Sequence, residues 1–465
     1  MSIRRKNQRK YELGLIVCGF FLITVILTPI FEIEGKETIT PVWERVFESP
    51  KEDAPTQLLV TSDGYLLTGS RDRGGPVQIP WLIKVDLEGI QKWNQSYTPE
   101  SKPQGHIRSI TQSPEGGYAL TGLAFSTDSS TWDLWILKTD ENGTEEWNKT
   151  INGTEDGPDY GSQIVAATDG GYLISGATQS EFASTESWDT DYWLLKTDGN
   201  GNLEWNKTYR REGYDQGTSL IPLNDGNYLM GGLSDHPHSI WILKIDENGT
   251  VLWDQTYTKG TESFITWERN LIETSDGGFL LTCHPAADNY RVGKEYWIIK
   301  CDSNGNIEWN TTFDGTSYDT PTVCLQSPTG DYYIGGSFGS LSDSSETGNM
   351  CILRLNSTGN IQGHVTYGEE LKGERIVDMV LVEGSESSEA LVALAFVENG
   401  GTGAGYRDFW LGKFDKVNEI QYPSTTTTTI TTTPTTTTSA TSFPVSILSS
   451  IGLGIVIRLR RKRGK

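Results

Sequence analysis

The residues with the most chemistry to offer are tyrosines set beside aspartates: GPDYG at 157–161, GYDQG at 213–217 and SYDTP at 317–321. These strings pair Asp159 with Tyr160, Tyr214 with Asp215, and Tyr318 with Asp319. SWDTDYW (187–193) adds Trp188 and Asp189, and the stretch 283–297 adds Tyr290. An aromatic ring stacks on a sugar face or an apolar side chain, and a neighbouring carboxylate takes hydroxyl or amide hydrogens. The pairing therefore suits a glycan or protein ligand. The plainer alternative is that each Asp caps a turn and each Tyr covers a sheet edge. Two carboxylates about 5–9.5 Å apart could instead hydrolyse glycosides, but spacing along the chain singles out no such pair among so many Asp.

Metal chemistry has two weaker footholds. His236 and His238, in DHPHS, could join His284 around zinc, but proline sits beside them and no Cys or carboxylate completes the spacing. DGNGN (198–202) and DSNGN (302–306) hint at calcium, yet they lack the twelve-residue loop with its sixth-position Gly and closing Glu. Plain turns are expected there, and no cofactor site is recognised.

The elements that must hold these residues come from a repeat. W-x-x-K-x-D begins at Trp81, Trp135, Trp193, Trp241, Trp297 and Trp410, with a degenerate copy, CILRLN, at Cys351. A period of about 50–60 residues marks propellers and solenoids. Each unit parses into four strands, A to D. A tight turn such as TDGG joins A to B, and DENG or DSNG joins C to D, the strongest short hairpin signal. One hairpin cannot cover both its faces, whereas sheets stacked in a ring can. The fold expected is all-β: a seven-bladed β-propeller of four-stranded antiparallel blades, with terminal transmembrane helices. VWERVF (42–47) reads as an outer strand ahead of the first complete unit, so it should complete the seventh blade and remove an exposed edge. NEIQY, after Phe414, is a weak rival for that place.

The string K-x-D-x-x-G-x-x-x-W, at Lys138–Trp147, Lys196–Trp205, Lys244–Trp253 and Lys300–Trp309, resembles the tryptophan-docking repeat of quinoprotein-like β-propellers. The resemblance covers roughly residues 42–415. It implies that each Trp packs between neighbouring blades and that the domain is a scaffold or binding module. No adjacent cysteine pair and no recognisable quinone or calcium site accompany it, so quinoprotein catalysis does not carry over.

With strand A innermost, the short A–B and C–D turns share one rim, and the variable B–C and D–A loops share the other. The Tyr–Asp strings fall on the loop rim, where function is expected. The repeated Lys (84, 138, 196, 244, 300, 413) lies on strand C and should pair with a carboxylate or run between blades. Cys283, Cys301, Cys324 and Cys351 allow three disulfide connectivities or free thiols.

The ends address the chain. Residues 1–12 form a basic cytoplasmic segment, and 13–33 holds the uncharged stretch Leu13–Phe31, an anchor or a cleaved signal that exports the middle of the chain. After the propeller (42–422) comes a Thr-rich stalk (423–442), then an apolar, short spanning or sorting segment (443–459) and a basic tail (460–465). The 61 acidic against 38 basic residues, with basic ones crowded at the ends, leave the middle acidic and argue against nucleic acid as a partner. Eight N-x-S/T sequons, at Asn94, Asn142, Asn148, Asn152, Asn206, Asn248, Asn310 and Asn356, become glycosylation candidates after export, although WNKT and NGT also belong to the repeat. The expectation is a membrane-anchored, extracytoplasmic, non-catalytic module that binds protein or glycan. A rim-carboxylate glycan hydrolase and an envelope spacer are the alternatives.

Overall fold

The computed structural model describes residues 40–420 apart from 49–52, 73–77, 101–103, 127–130, 154–156, 181–188, 212, 235–238, 260–262, 266–269, 287–294, 315–317, 341–347, 369–372, 385–387 and 400–405. Both expected membrane segments, the stalk and the basic tail lie outside the described residues. Among the described residues no helix is long and apolar enough to cross a membrane.

Seven antiparallel sheets form. Blade 1 spans 53–96, blade 2 104–151, blade 3 160–209, blade 4 216–257, blade 5 263–314 and blade 6 318–367, and six of the seven are four-stranded in the order A-B-C-D. Blade 5 departs from the pattern: its inner strand is split into Ser263–Ile265 and Leu271–Glu273, both paired with Phe279–Ala286. Blade 7 takes its inner three strands from 375–414, and its outermost is Trp43–Phe47, with Trp43 opposite Lys413 and Phe47 opposite Phe409. The ring is thus closed by the N-terminal strand. Of NEIQY, residues 418–420 are described and form no strand; Val417–Glu419 makes one 3₁₀ turn, and Val417 and Ile420 are buried against blades 6 and 7.

Burial follows from stacking. Strand C of blade 3, Thr190–Thr197, is buried at every position because both faces are covered, whereas the outer Leu203–Tyr209 alternates exposed and half-buried. The core is divided among the blade junctions. Among the described residues seven apolar clusters occur, and each draws on two neighbouring blades: Leu134 and Ile136 of blade 2, for instance, pack with Ile174 and Trp193 of blade 3.

Within a blade, the repeated Lys ties strand C to its neighbours. Lys196 reaches Asp169 in the A–B turn at 2.7 Å and Glu204 on strand D at 3.0 Å; Lys300 does the same with Asp276 and Glu308. In the C–D turn, Asp198 Oδ1 accepts the backbone N–H groups of Asn200 and Asn202, as Asp302 does for Asn304 and Asn306. These carboxylates are occupied as turn caps.

Between blades, the C–D turn glycine of one blade lies against the outer-strand Trp of the blade before. A Cβ on Gly201 would stand 2.6 Å from Trp147, and one on Gly359 2.5 Å from Trp309; both glycines hold positive φ. The same docking joins Trp43 to Gly89, Trp93 to Gly143, Trp205 to Gly249 and Trp253 to Gly305. Among the described residues only the junction of blades 6 and 7 lacks it. There Gly363, opposite Arg354, holds the Trp position, and Arg354 instead binds Asp331 and the carbonyl oxygens of Asn418 and Ile420.

A second set of links crosses the inner strands at a bulge. Gln57 bonds both ways with the Ile110 backbone, Gln163 Oε1 accepts Leu220 N–H at 2.9 Å, and Asp378 Oδ2 accepts Leu58 N–H at 2.7 Å. The last of these closes the ring from blade 7 to blade 1. The four cysteines of this region are free and buried.

Candidate functional site

The loop rim is built on crossovers from strand D of one blade to strand A of the next. Three of them are pinned by a backbone bond to the preceding blade: Asp159 N–H to the Trp132 carbonyl at 2.7 Å, Asp215 N–H to the Thr190 carbonyl at 2.7 Å, and Glu374 N–H to the Gly348 carbonyl at 2.9 Å. The side chains then close the loop. Asp159 Oδ1 accepts from the Thr178 hydroxyl at 2.5 Å and Oδ2 from Gly153 N–H at 2.5 Å. Asp215 Oδ2 accepts Arg211 N–H at 2.6 Å, and Asp319 Oδ1 accepts Gly339 N–H at 2.8 Å. All three carboxylates are buried, none more than 1% exposed. Burial, reinforced by the nearby Asp133 carboxylate, pushes Asp159 up to about 6 against the pull of its hydrogen bonds from Thr178, Gly153 and Gln179.

The tyrosines behave differently. Tyr160, on strand A of blade 3 (Tyr160–Ala166), and Tyr214, in the crossover into blade 4, are half-buried and meet near the ring axis. Tyr214 donates to Gln216 Oε1 at 2.8 Å, and burial together with the adjacent Tyr160 raises its phenol above the usual range. The Arg108 guanidinium of blade 2 lies over the Tyr160 ring, 5.3 Å from its centroid. His106, on the same strand as Arg108, sits 5.2 Å from the Trp132 ring, and Trp132 lies 5.2 Å from Phe125. Burial and the charge of Arg108 push His106 down to about 4, so it is neutral at pH 7. Three blades therefore contribute to one half-buried, aromatic and cationic surface where the inner strands begin.

Across the axis, Arg375 and Arg407 of blade 7 both stack on Phe396, at 5.0 and 4.8 Å. Among the described residues Arg71, Arg108, Arg210, Arg211, Arg375 and Arg407 all lie toward this rim, and only Arg45 and Arg354 lie elsewhere.

Other expected residues scatter. Asp189 is half-buried at the end of the B–C loop of blade 3, where its carbonyl accepts Ser180 N–H at 2.9 Å. Trp188, Tyr290, His236, His238 and the side chain of Tyr318 lie outside the described residues. His284 is buried on strand B of blade 5, pushed down to about 3 by burial and the charge of Arg375. Among the described residues no group of three His, Cys, Asp or Glu could hold a metal ion.

A separate cleft of about 450 Å³ opens between the crossover at Asn152 and the outer strands of blade 3, lined by Gln179, Asp191, Asn206 and Arg210 among others. Asn206 has a structural task there, accepting from the Trp193 indole at 3.1 Å; Asn148 and Asn310 serve Trp135 and Trp297 alike, and Asn94 serves Trp81. Asn142, Asn248 and Asn356 sit in C–D turns, where Asn356 Oδ1 accepts from Thr358 and Asn360 N–H. Asn152 is exposed.

Sequence reasoning had not singled out Arg108, His106, Gln216 or Trp132. An arginine inside the otherwise strand-like HIRSI, at an alternating position of an innermost strand, was the available signal.

No family model matches the chain, and no curated protein matches it, so the quinoprotein-like resemblance gains no family match. Among solved structures the chain is similar to an ulvan lyase of a polysaccharide lyase family, at 7% identity over 79% of this chain and 95% of that one, with a TM-score of 0.53. It is also similar to the Pan2 WD40 domain of Neurospora crassa (10% identity, 83% and 98% covered, TM-score 0.48). A third is a protein of unknown function from Dyadobacter fermentans (11% identity, 82% and 100% covered, TM-score 0.45). At such identities the likeness concerns fold alone, and the fold is a seven-bladed β-propeller.

Proposed function

We propose that the propeller is a non-catalytic binding or scaffold module for a protein or glycan, anchored to the membrane by its terminal segments and displayed outside the cytoplasm. One observation carries the binding reading: Arg108, Tyr160, Tyr214 and Gln216 gather from blades 2 to 4 into a half-buried surface at the ring axis. A guanidinium stacked on a phenol ring, with an amide and two hydroxyls beside it, offers a flat apolar face edged with donors, suited to a sugar ring or an extended peptide.

The nearest carboxylates, Asp159 and Asp215, are buried and engaged in holding the crossovers. A hydrolase on this rim would need an accessible pair set at either side of a glycosidic oxygen, and these two do not supply one. Glycan arrays and a peptide library probed with the full chain, wild type against Tyr160→Ala and Arg108→Ala, test the reading. Specific binding that both substitutions weaken supports it. Turnover of a glycan that one rim carboxylate abolishes would replace it with the enzyme alternative, and silence in both screens would favour a spacer.

A further inference from the structure

Where the chain enters and leaves the propeller decides which rim can meet a partner. The entry strand begins at Trp43, and Val42 N–H bonds the Lys413 carbonyl at 2.6 Å, next to the end of strand C in blade 7. The exit comes within a few residues of the same point: after Phe414 the chain makes its 3₁₀ turn, and Arg354, at the far end of strand C in blade 6, holds the carbonyl oxygens of Asn418 and Ile420. Strand C ends at the C–D turns, so entry and exit lie side by side on the turn rim.

We infer that the propeller stands on its turn rim, so that the loop rim, with Arg108, Tyr160 and Tyr214, is the surface turned away from the membrane toward an external ligand. The inference rests on the anchoring part of the proposed function. Chain lengths support it. Eight residues, 34–41, join the first apolar segment to Val42, a reach of at most about 28 Å. The two rims are a strand apart, roughly 23 Å for seven residues. Fully extended, that tether only just exceeds the height of a blade, so the loop rim reaches the bilayer only with the tether drawn almost taut along the blade, whereas the turn rim reaches it with slack.

The free cysteines of the propeller are buried, so single labels are practicable once Cys18 is replaced by Ser. The full chain, carrying a donor dye at Asn304→Cys on the turn rim or Glu100→Cys on the loop rim, is reconstituted into phosphatidylcholine vesicles containing a headgroup-labelled acceptor lipid. Energy transfer several-fold stronger from position 304 than from position 100 is expected. Equal transfer, or stronger transfer from position 100, overturns the orientation while leaving anchoring intact. Failure of both labelled chains to float with the vesicles overturns the anchoring, and the orientation falls with it.

Discussion

On the turn rim one solution is written repeatedly, and on the loop rim almost nothing is. In successive C–D turns an Asp or Asn carboxyl or amide oxygen takes two backbone N–H groups, a glycine with positive φ follows, and that glycine meets the Trp of the preceding blade. The loop rim repeats a backbone pin in three of its crossovers and varies the side chains around it. The difference teaches where sequence identity is needed. A ring closes only if successive junctions fit, so the docking surfaces converge, whereas a ligand needs one asymmetric patch. Junction 6–7 shows the limit of the rule: where Trp and turn are both lost, Arg354 and the 3₁₀ turn substitute for them.

The largest effect expected on this comparison is a pH dependence from the loop rim. Asp159 binds a proton more readily folded than unfolded, because its ordinary value near 3.8 is raised to about 6. The native state therefore holds more protons between pH 4 and 6, and stability should fall as pH rises through that window, by roughly 2–3 kcal/mol. Asp159→Asn should flatten that slope in urea titrations at pH 4.5 and 7. A slope unchanged by the substitution would remove Asp159 from the account.

Next comes ring closure. Asp378→Ala leaves the Leu58 N–H buried without its carboxylate, at a cost of about 2–3 kcal/mol, read as a lower midpoint in chemical denaturation. Asp378→Asn, which keeps an acceptor oxygen, should recover most of it.

The docking on the turn rim is isolated by two glycines. Gly201→Ala meets both an unfavourable φ of 72° and the Trp147 ring, whereas Gly226→Ala meets a φ of 85° and open space. The first should cost about 2–3 kcal/mol and the second about 1 kcal/mol. Equal losses would mean that the Trp contact contributes nothing. The smallest stability change belongs to Tyr214→Phe, which removes one half-buried hydroxyl bond to Gln216, about 0.5 kcal/mol.

Much of the fold could be read from the chain because its signals are local. W-x-x-K-x-D, DENG and TDGG mark strands and turns within a dozen residues, and VWERVF carries the strand pattern that completes blade 7. The Lys pairs were legible as well, since Lys84, Lys138, Lys196, Lys244 and Lys300 each find a carboxylate within their own blade, while Lys413 bonds the Glu383 carbonyl. What escaped depends on partners some 50 or more residues away. Gln57, Gln163 and Asp378 do one job with different side chains, so no motif marks them. The split inner strand of blade 5 and the loss of docking at Gly363 are likewise departures from the repeat that only neighbouring blades explain. At the rim, Tyr160 and Tyr214 were visible as types, but Arg108 became significant only when three inner strands converged.

The most direct test is a calorimetric titration of the ligand recovered from the arrays into the full chain, wild type and Arg108→Ala/Tyr214→Ala, with melting temperatures measured alongside. At least tenfold weaker binding, about 1.4 kcal/mol, with melting within a degree or two of wild type is the predicted result. Undiminished affinity in the double variant, or affinity lost instead through Asn200→Ala on the opposite rim, would contradict the account.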